Sequence, residues 1–400
     1  MRPAACVIAA GVVAALHVVK LPPALPVLQQ VMGVSLLQAG FLLSLVQLAG
    51  MVLGLPAGLL IQRWGPRRSM LSGLLLLAVA SAMGGAAQTT TGLLWSRALE
   101  GLGFLCVVLP APGLLRVLVT PNHLSRVLGG WGAYMPIGAA LALLAGPAVM
   151  APADAQWGWR WWWWCLSAAA ALSALLIFVR VPADMPACGG GSADPQGAAT
   201  ASSWRRLLKL TLRSPGAWAV ALSFAMYSGQ WMAVVGFLPS IYVQAGVAAA
   251  ATAWLTALAA GVNIIGNLAA GRLLHRGMAP VVLLVAGFVA MSLGTLVAFG
   301  VEGNPRLQYL AVLIFSMFGG LIPGTLFSLA VQLAPGPQAV PTTVGWVQQW
   351  SALGQFFGPP LVAGVAAHAG HWQWTWMVTW SCSIAGLLLA WRIRRLLRRS

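Results

Sequence analysis

Apolar stretches recur roughly a dozen times along this chain of 400 residues, and each runs the ~20 residues that a helix needs to cross about 30 Å of hydrocarbon. A mean hydropathy of +0.86 and a hydrophobic content of 60% exclude a soluble fold of this length. The chain reads as an all-α membrane protein. Its apolar runs place twelve transmembrane helices at 4–28, 36–61, 69–87, 91–115, 126–150, 160–181, 216–243, 249–273, 279–300, 307–333, 340–367 and 372–394. The first run has no small-residue cleavage site and outlasts a signal peptide, so it is expected to be a retained helix. The longest polar break, 182–214, has the Gly, Ser, Asp and Pro composition of a linker. It divides the chain into an amino-terminal bundle (1–181), a linker (182–214) and a carboxy-terminal bundle with a basic tail (215–400).

Charge sets the expected orientation. The formal net charge is +17, from 22 Lys and Arg against 5 Asp and Glu, a balance that in a soluble chain suggests nucleic acid. Here the basic residues sit in short gaps between apolar runs, which is the positive-inside pattern and not a nucleic-acid surface. All except Lys20, Arg97, Arg160 and Arg306 fall in alternate gaps or at the two ends. That bias puts both termini and the linker in the cytoplasm, with the chain integral to a bacterial inner membrane. Tryptophans mark the other boundary: Trp157, Trp159 and the run 161–164 open the sixth span, and Trp372, Trp374 and Trp376 the twelfth. They read as an aromatic belt at the outer face.

The halves repeat. Leu25-Pro26 and Leu238-Pro239 lie 213 positions apart, as do Gly58–Arg63 and Gly271–Arg276. Two landmarks keeping one spacing indicate duplication, hence two pseudo-symmetric six-helix bundles. Repeats of this kind place a binding site near the midplane, where the halves meet.

Several polar positions stand out against the apolar background. Glu100 is the only acidic residue inside a span. Arg97 precedes it by three positions on the same helix face and can pair with it. Ionisable groups at membrane depth are costly and are functional candidates by default. Lys20 precedes Leu21-Pro22-Pro23-Ala24-Leu25-Pro26, where prolines withdraw backbone donors and should break the helix beside a polar cavity. Tyr227, Gln230 and Trp231 in span seven are expected to face that cavity, as is His17, which the repeat aligns with Gln230. Asn263 and Asn267 could bond across helices. His368 and His371 lack a third metal ligand. The scattered cysteines, Cys6, Cys106, Cys165, Cys188 and Cys382, have neither disulfide-framework nor zinc spacing. No metal and no cofactor is expected, and no GxxxxGK[ST] loop is present to bind ATP.

Gly58-Leu-Leu-Ile-Gln62-Arg63-Trp-Gly65-Pro66-Arg67-Arg68 resembles the loop-two-three signature of the major facilitator superfamily, with Gln62 in place of its aspartate and Pro66 in place of an arginine. In such a gate, small residues let helices approach and guanidiniums bond helix carbonyl ends. Arg97-Ala-Leu-Glu100-Gly101-Leu-Gly103 resembles the signature of the fourth helix. Gly132, Pro136 and Gly138, and again Gly354, Gly358 and Pro359, resemble the glycine–proline packing motif of the fifth helix. The stretch 20–23 is loosely similar to the cyanate-permease-like branch. The resemblance implies helices one, four, seven and ten around a central cavity that rocking of the bundles exposes to each side in turn.

The expected activity is secondary transport of a small organic solute, anionic because Lys20 and Arg97 outnumber Glu100, with Glu100 as proton carrier under the control of Arg97. The alternative is proton-antiport efflux of a drug, siderophore or other metabolite; a transporter-like solute sensor comes third. Besides substrate and protons the partner is the lipid bilayer, the protein being a monomer, and no enzyme site is apparent. A phosphatase that works only outside the cytoplasm should be inactive when fused after Ser400 and active when inserted at Gly303; the opposite pattern inverts the orientation.

Overall fold

The computed structural model describes residues 2–120, 127, 131–183, 196–301, 303–336 and 339–398, and of residues 2, 57–63, 196–204 and 341 the backbone alone. Every regular element among them is helical. Span one comprises Arg2–Val19 and Leu21–Met32. Span two runs from Leu36–Ser44 through a 3-10 turn, Leu45–Gln47, into Leu48–Trp64. Spans three to six are Pro66–Ala86, Thr90–Val108 with Ala111–Leu118, Tyr134–Met150, and Ala155–Arg180. Span seven is Pro215–Gln244, span eight Ala249–Gly261 with Asn263–His275, and span nine Pro280–Gly300. Spans ten to twelve are Pro305–Gly319 with Leu321–Gln332, Val340–Ala369, and Trp376–Leu397. Among the described residues, ten helical stretches are each long and apolar enough to cross a bilayer.

Local chemistry sets several ends. Ser35 and Gln38 form a reciprocal cap at the start of span two, and the side chains of Thr89, Asp154, Ser214 and Asn304 each accept an N–H at the start of theirs. Asp154 starts span six at Ala155, five residues before the hydropathy-based start, because a cap lets polar residues join the first turn. Gly65 adopts φ 96° between spans two and three, a left-handed turn that a side chain would strain, and Pro66 opens the next helix.

Two expectations need correction. The linker is not featureless: Gln196–Arg213 is a helix. It is amphipathic, with Thr211 buried and Leu207 and Leu208 half-buried while Arg206, Lys209 and Arg213 face outward. Gly189, Gly190 and Gly191 lie outside the described residues. The tryptophan belt is also only partial. Trp157 and Trp161 are exposed, but Trp159, Trp162 and Trp163 are buried in the core, since 3.6 residues per turn bring 159, 162 and 163 to one face of the helix and leave 157 and 161 on the other.

The two bundles meet along spans two and eleven, where Gln47 Nε2 donates to Gln355 Oε1 at 3.0 Å and Gln349 Nε2 to the Met51 carbonyl at 2.7 Å. Span five runs beside span eight, and the second piece of span one beside span seven. Within the carboxy-terminal bundle, spans seven and eleven are in backbone contact: a Cβ on Gly229 would lie 2.6 Å from the Gly354 carbonyl oxygen. Gly358 faces the same stretch of span seven. Gly229→Leu should therefore destabilise the protein by about 2 kcal/mol through overpacking, read as a lower melting temperature in detergent; an unchanged melting temperature would show that this contact has slack.

Candidate functional site

The break in span one organises the charged centre. An unbroken helix would bond the Val18 carbonyl to the N–H of residue 22, but Pro22 has none. Arg97, from span four, takes over. Its Nη2 donates to the Val18 carbonyl at 3.0 Å, its Nη1 to the His17 carbonyl at 2.6 Å, and its Nε to the Leu42 carbonyl at 3.1 Å, next to the 3-10 turn of span two. Nη1 also donates to Glu100 Oε2 at 2.5 Å. One planar guanidinium thus ties two irregular helices to a third, using donors in a fixed fork.

Lys20 sits at the break and pairs with the other Glu100 oxygen, Oε1. Its Nζ donates to Ser81 Oγ at 2.8 Å, and the Ser81 hydroxyl in turn donates to the Trp163 carbonyl at 2.8 Å. The ammonium lies 4.6 Å from the centroid of the Trp163 ring, a cation–π contact. Trp162 Nε1 donates to the Lys20 carbonyl at 3.0 Å. Lys20, Arg97 and Glu100 are each 0% exposed. His17 is buried one turn earlier, its Nδ1 on the Val13 carbonyl at 2.9 Å and its Nε2 without a partner among the described residues.

A separate central cavity of about 1420 Å³ lies between the bundles and reaches Arg116, Arg272, Gln332 and Gly336 on one face. Its amino-terminal wall is largely apolar and aromatic, with Phe104, Trp131, Tyr134 and Pro136. The opposite wall is wired with hydrogen bonds. Asn263 Nδ2 donates to Tyr227 Oη at 3.2 Å and to the Ser316 carbonyl at 2.8 Å. Trp231 Nε1 donates to Ser316 Oγ at 3.1 Å, and Asn267 Nδ2 to Asn263 Oδ1 at 2.8 Å. Gln47, Gln349 and Gln355 line the seam. Among the described residues no Asp or Glu lies on the wall, whereas Arg116 and Arg272 do.

The structure redistributes the expected site residues. Tyr227 and Trp231 face the cavity. Lys20 and His17 do not, because the break turns them inward between spans one, three, four and six. Gln230 is also off the wall: Ser383 of span twelve donates to its Oε1 at 3.1 Å, and its Nε2 bonds the Met226 carbonyl. His17 and Gln230, which the repeat pairs, thus both lie buried away from the cavity they were expected to face. Arg67 Nη2 donates to the Phe178 carbonyl at 2.7 Å, near the end of span six. This bond lies within one bundle. Gly65 makes the turn beside it, and Arg68 is also engaged. Gly58 and Arg63 fall in the stretch 57–63, of which the backbone alone is described. Gly138 packs on the Val12 carbonyl at a Cβ distance of 3.0 Å, Gly132 faces open space, and Pro359 lies where span eleven meets Gly40 of span two. Ser81, Trp163, Gln47, Gln349, Gln355, Arg116 and Arg272 were not singled out from the sequence. Only the glutamines, polar within apolar runs, carried a visible signal. Among the described residues, no group of three or more His, Cys, Asp or Glu could hold a metal ion.

The model of the Major Facilitator Superfamily matches residues 6–359. This chain belongs to that family of membrane transporters. Its architecture is similar to a bacterial homolog of the human lysosomal transporter Spinster in an inward-facing, occupied conformation, with a TM-score of 0.81 at 14% identity over 98% of this chain and 96% of that one. A D-xylose-proton symporter matches with a TM-score of 0.76 at 16% identity over 98% and 96%. FucP in its outward conformation matches with a TM-score of 0.67 at 18% identity over 98% of both chains. At these identities the likeness is one of fold. In sequence, the puromycin resistance protein pur8 of Streptomyces alboniger is 33% identical over 139 residues, 34% of this chain. The match spans 27% of that relative's length.

Arg97→Lys should cost about 2–3 kcal/mol of stability, because a lysine cannot serve three carbonyls and a carboxylate, and Pro22 offers the Val18 carbonyl no N–H. The melting temperature in one detergent, compared with wild type, checks this; equal values would mean that the carbonyls find other partners.

Proposed function

We propose that this protein is a proton-coupled secondary transporter that moves a small organic anion by alternating access. The observation that carries this reading is the separation of two sites: a sealed charged centre at the break of span one, and an open cavity large enough for an organic solute. The centre changes its bonds only if spans one and four move, so its protonation is tied to the packing of the amino-terminal bundle. Glu100 is the anion on which the centre depends, and Arg97 positions it. Tyr227 and Trp231, held by Asn263 and Ser316, form the binding wall. Anion preference rests on Arg116 and Arg272 in a cavity whose described residues include no carboxylate, not on Lys20, which lies off the wall. The bundles divide at residues 182–214, and both termini lie in the cytoplasm, so the cavity mouth at Arg116 and Arg272 opens inward. The arginines flanking Gly65 act at the cytoplasmic gate. Kinship with the cyanate-permease-like branch has the stretch 20–23 behind it and no more.

The second reading, efflux of an aromatic drug-like compound in exchange for protons, is favoured by the ring-lined wall of Phe104, Trp131 and Tyr134 and by the likeness to pur8. Under one imposed pH gradient, everted and right-side-out vesicles separate the two directions. For a solute identified by thermal-shift screening, Glu100→Gln should abolish proton-driven accumulation in proteoliposomes while sparing solute exchange. Full accumulation by that variant under a pH gradient would refute the coupling role.

A further inference from the structure

The buried centre contains two cations and one anion, and its charge does not balance. Lys20 and Arg97 both pair with Glu100, and these are the ion pairs found among the described residues. The charged side chains acting on Lys20 are Glu100 and Arg97. Span three brings Ser81 to it and span six brings Trp163, neither of them charged. His17, on Lys20's own span, carries its proton on Nδ1 toward Val13. With Glu100 ionised and both partners protonated, the centre holds one net positive charge on fully buried side chains, which is costly at membrane depth.

Three proton movements are conceivable, and only one neutralises the centre. Protonating Glu100 leaves two cations and no anion. Removing a proton from Arg97 is chemically closed, since a guanidinium stays charged in proteins, and its donors already hold Leu42, His17, Val18 and Glu100. Removing one from Lys20 leaves the Arg97–Glu100 pair intact and neutral. The resulting amine retains two N–H groups, enough for Ser81 Oγ and Glu100 Oε1; the third N–H of the ammonium has only the Trp163 ring. A lysine is also the cation whose charge yields most readily to its surroundings.

We infer that the exchangeable proton of this transporter sits on Lys20 and not on Glu100: an N–H bond of the ammonium breaks, its electron pair stays on Nζ, and the proton passes to water when the break in span one opens. Glu100 then serves as the fixed counter-ion that makes reprotonation possible. This rests on the coupling role proposed above.

The sequence supplies an unusually clean test, because Lys20 and Lys209 are its only lysines. With ¹³C at the lysine Cε and the substitution Lys209→Arg, one lysine signal remains. In nanodiscs titrated across the pH range in which transport runs, that signal is expected to move between its ammonium and amine positions. In Glu100→Gln it should stay at the amine position throughout, since no anion offsets the cation. A wild-type signal that stays at the ammonium position over the whole range overturns the proposal, as does a Glu100→Gln signal that titrates like wild type. If Lys20 titrates as expected but solute flux ignores an imposed pH gradient, the coupling reading fails and the assignment of the mobile proton within the centre stands.

Discussion

A carbonyl without a donor lies at the origin of this site. Pro22 removes the N–H that Val18 would use, in a stretch buried inside the bundle. An arginine three helices along the chain supplies the missing bond and, with the same group, reaches the irregular stretch of span two. Breaking span one is therefore possible only because Arg97 is there. Arg97 in turn is tolerable at that depth because it finds three carbonyls and a carboxylate. The break, the guanidinium and the carboxylate form one cooperative unit.

That unit has mechanical consequences. Spans one, two and four are locked at the level of His17, Val18, Leu42 and Glu100, and Lys20 extends the lock to span three through Ser81 and to the ring of Trp163 in span six. Such a centre moves as a block or must exchange several bonds together. The cavity walls are built differently. On the carboxy-terminal side, Asn263, Tyr227, Trp231 and Ser316 form a hydrogen-bonded panel, while the amino-terminal side offers mainly rings. Across the seam the bundles are joined by glutamine amides, Gln47 to Gln355 and Gln349 to Met51, neutral contacts that break at lower cost than buried ion pairs. Rigid bundles with a softer seam are what the proposed alternating access requires.

Much of this was legible along the chain. Span number, the repeat and the pairing of Arg97 with Glu100 follow from local rules, the last from the three-residue spacing on one helix. The prolines after Lys20 announced the break. Other residues carried no such mark. Lys20 joins Glu100 from 80 positions away, and nothing in the sequence distinguishes Trp163, which it faces, from the other tryptophans of the same run. The repeat pairs His17 with Gln230, and both lie off the cavity wall: a repeat tells which positions correspond, whereas the side of the helix that meets the cavity is set by packing.

What the sequence by itself determined is the solvent, the number of crossings, the expected sidedness and the presence of one acid among buried bases. Hydrophobicity and charge add up residue by residue, so these need no knowledge of neighbours. Only the tertiary structure decided that Lys20 belongs to a sealed ionic centre and not to the cavity, that Arg97 repairs a broken backbone, and that glutamines hold the bundles together. Those outcomes depend on how each helix is rotated about its axis and where it breaks. Both are set by packing against helices far away in the chain.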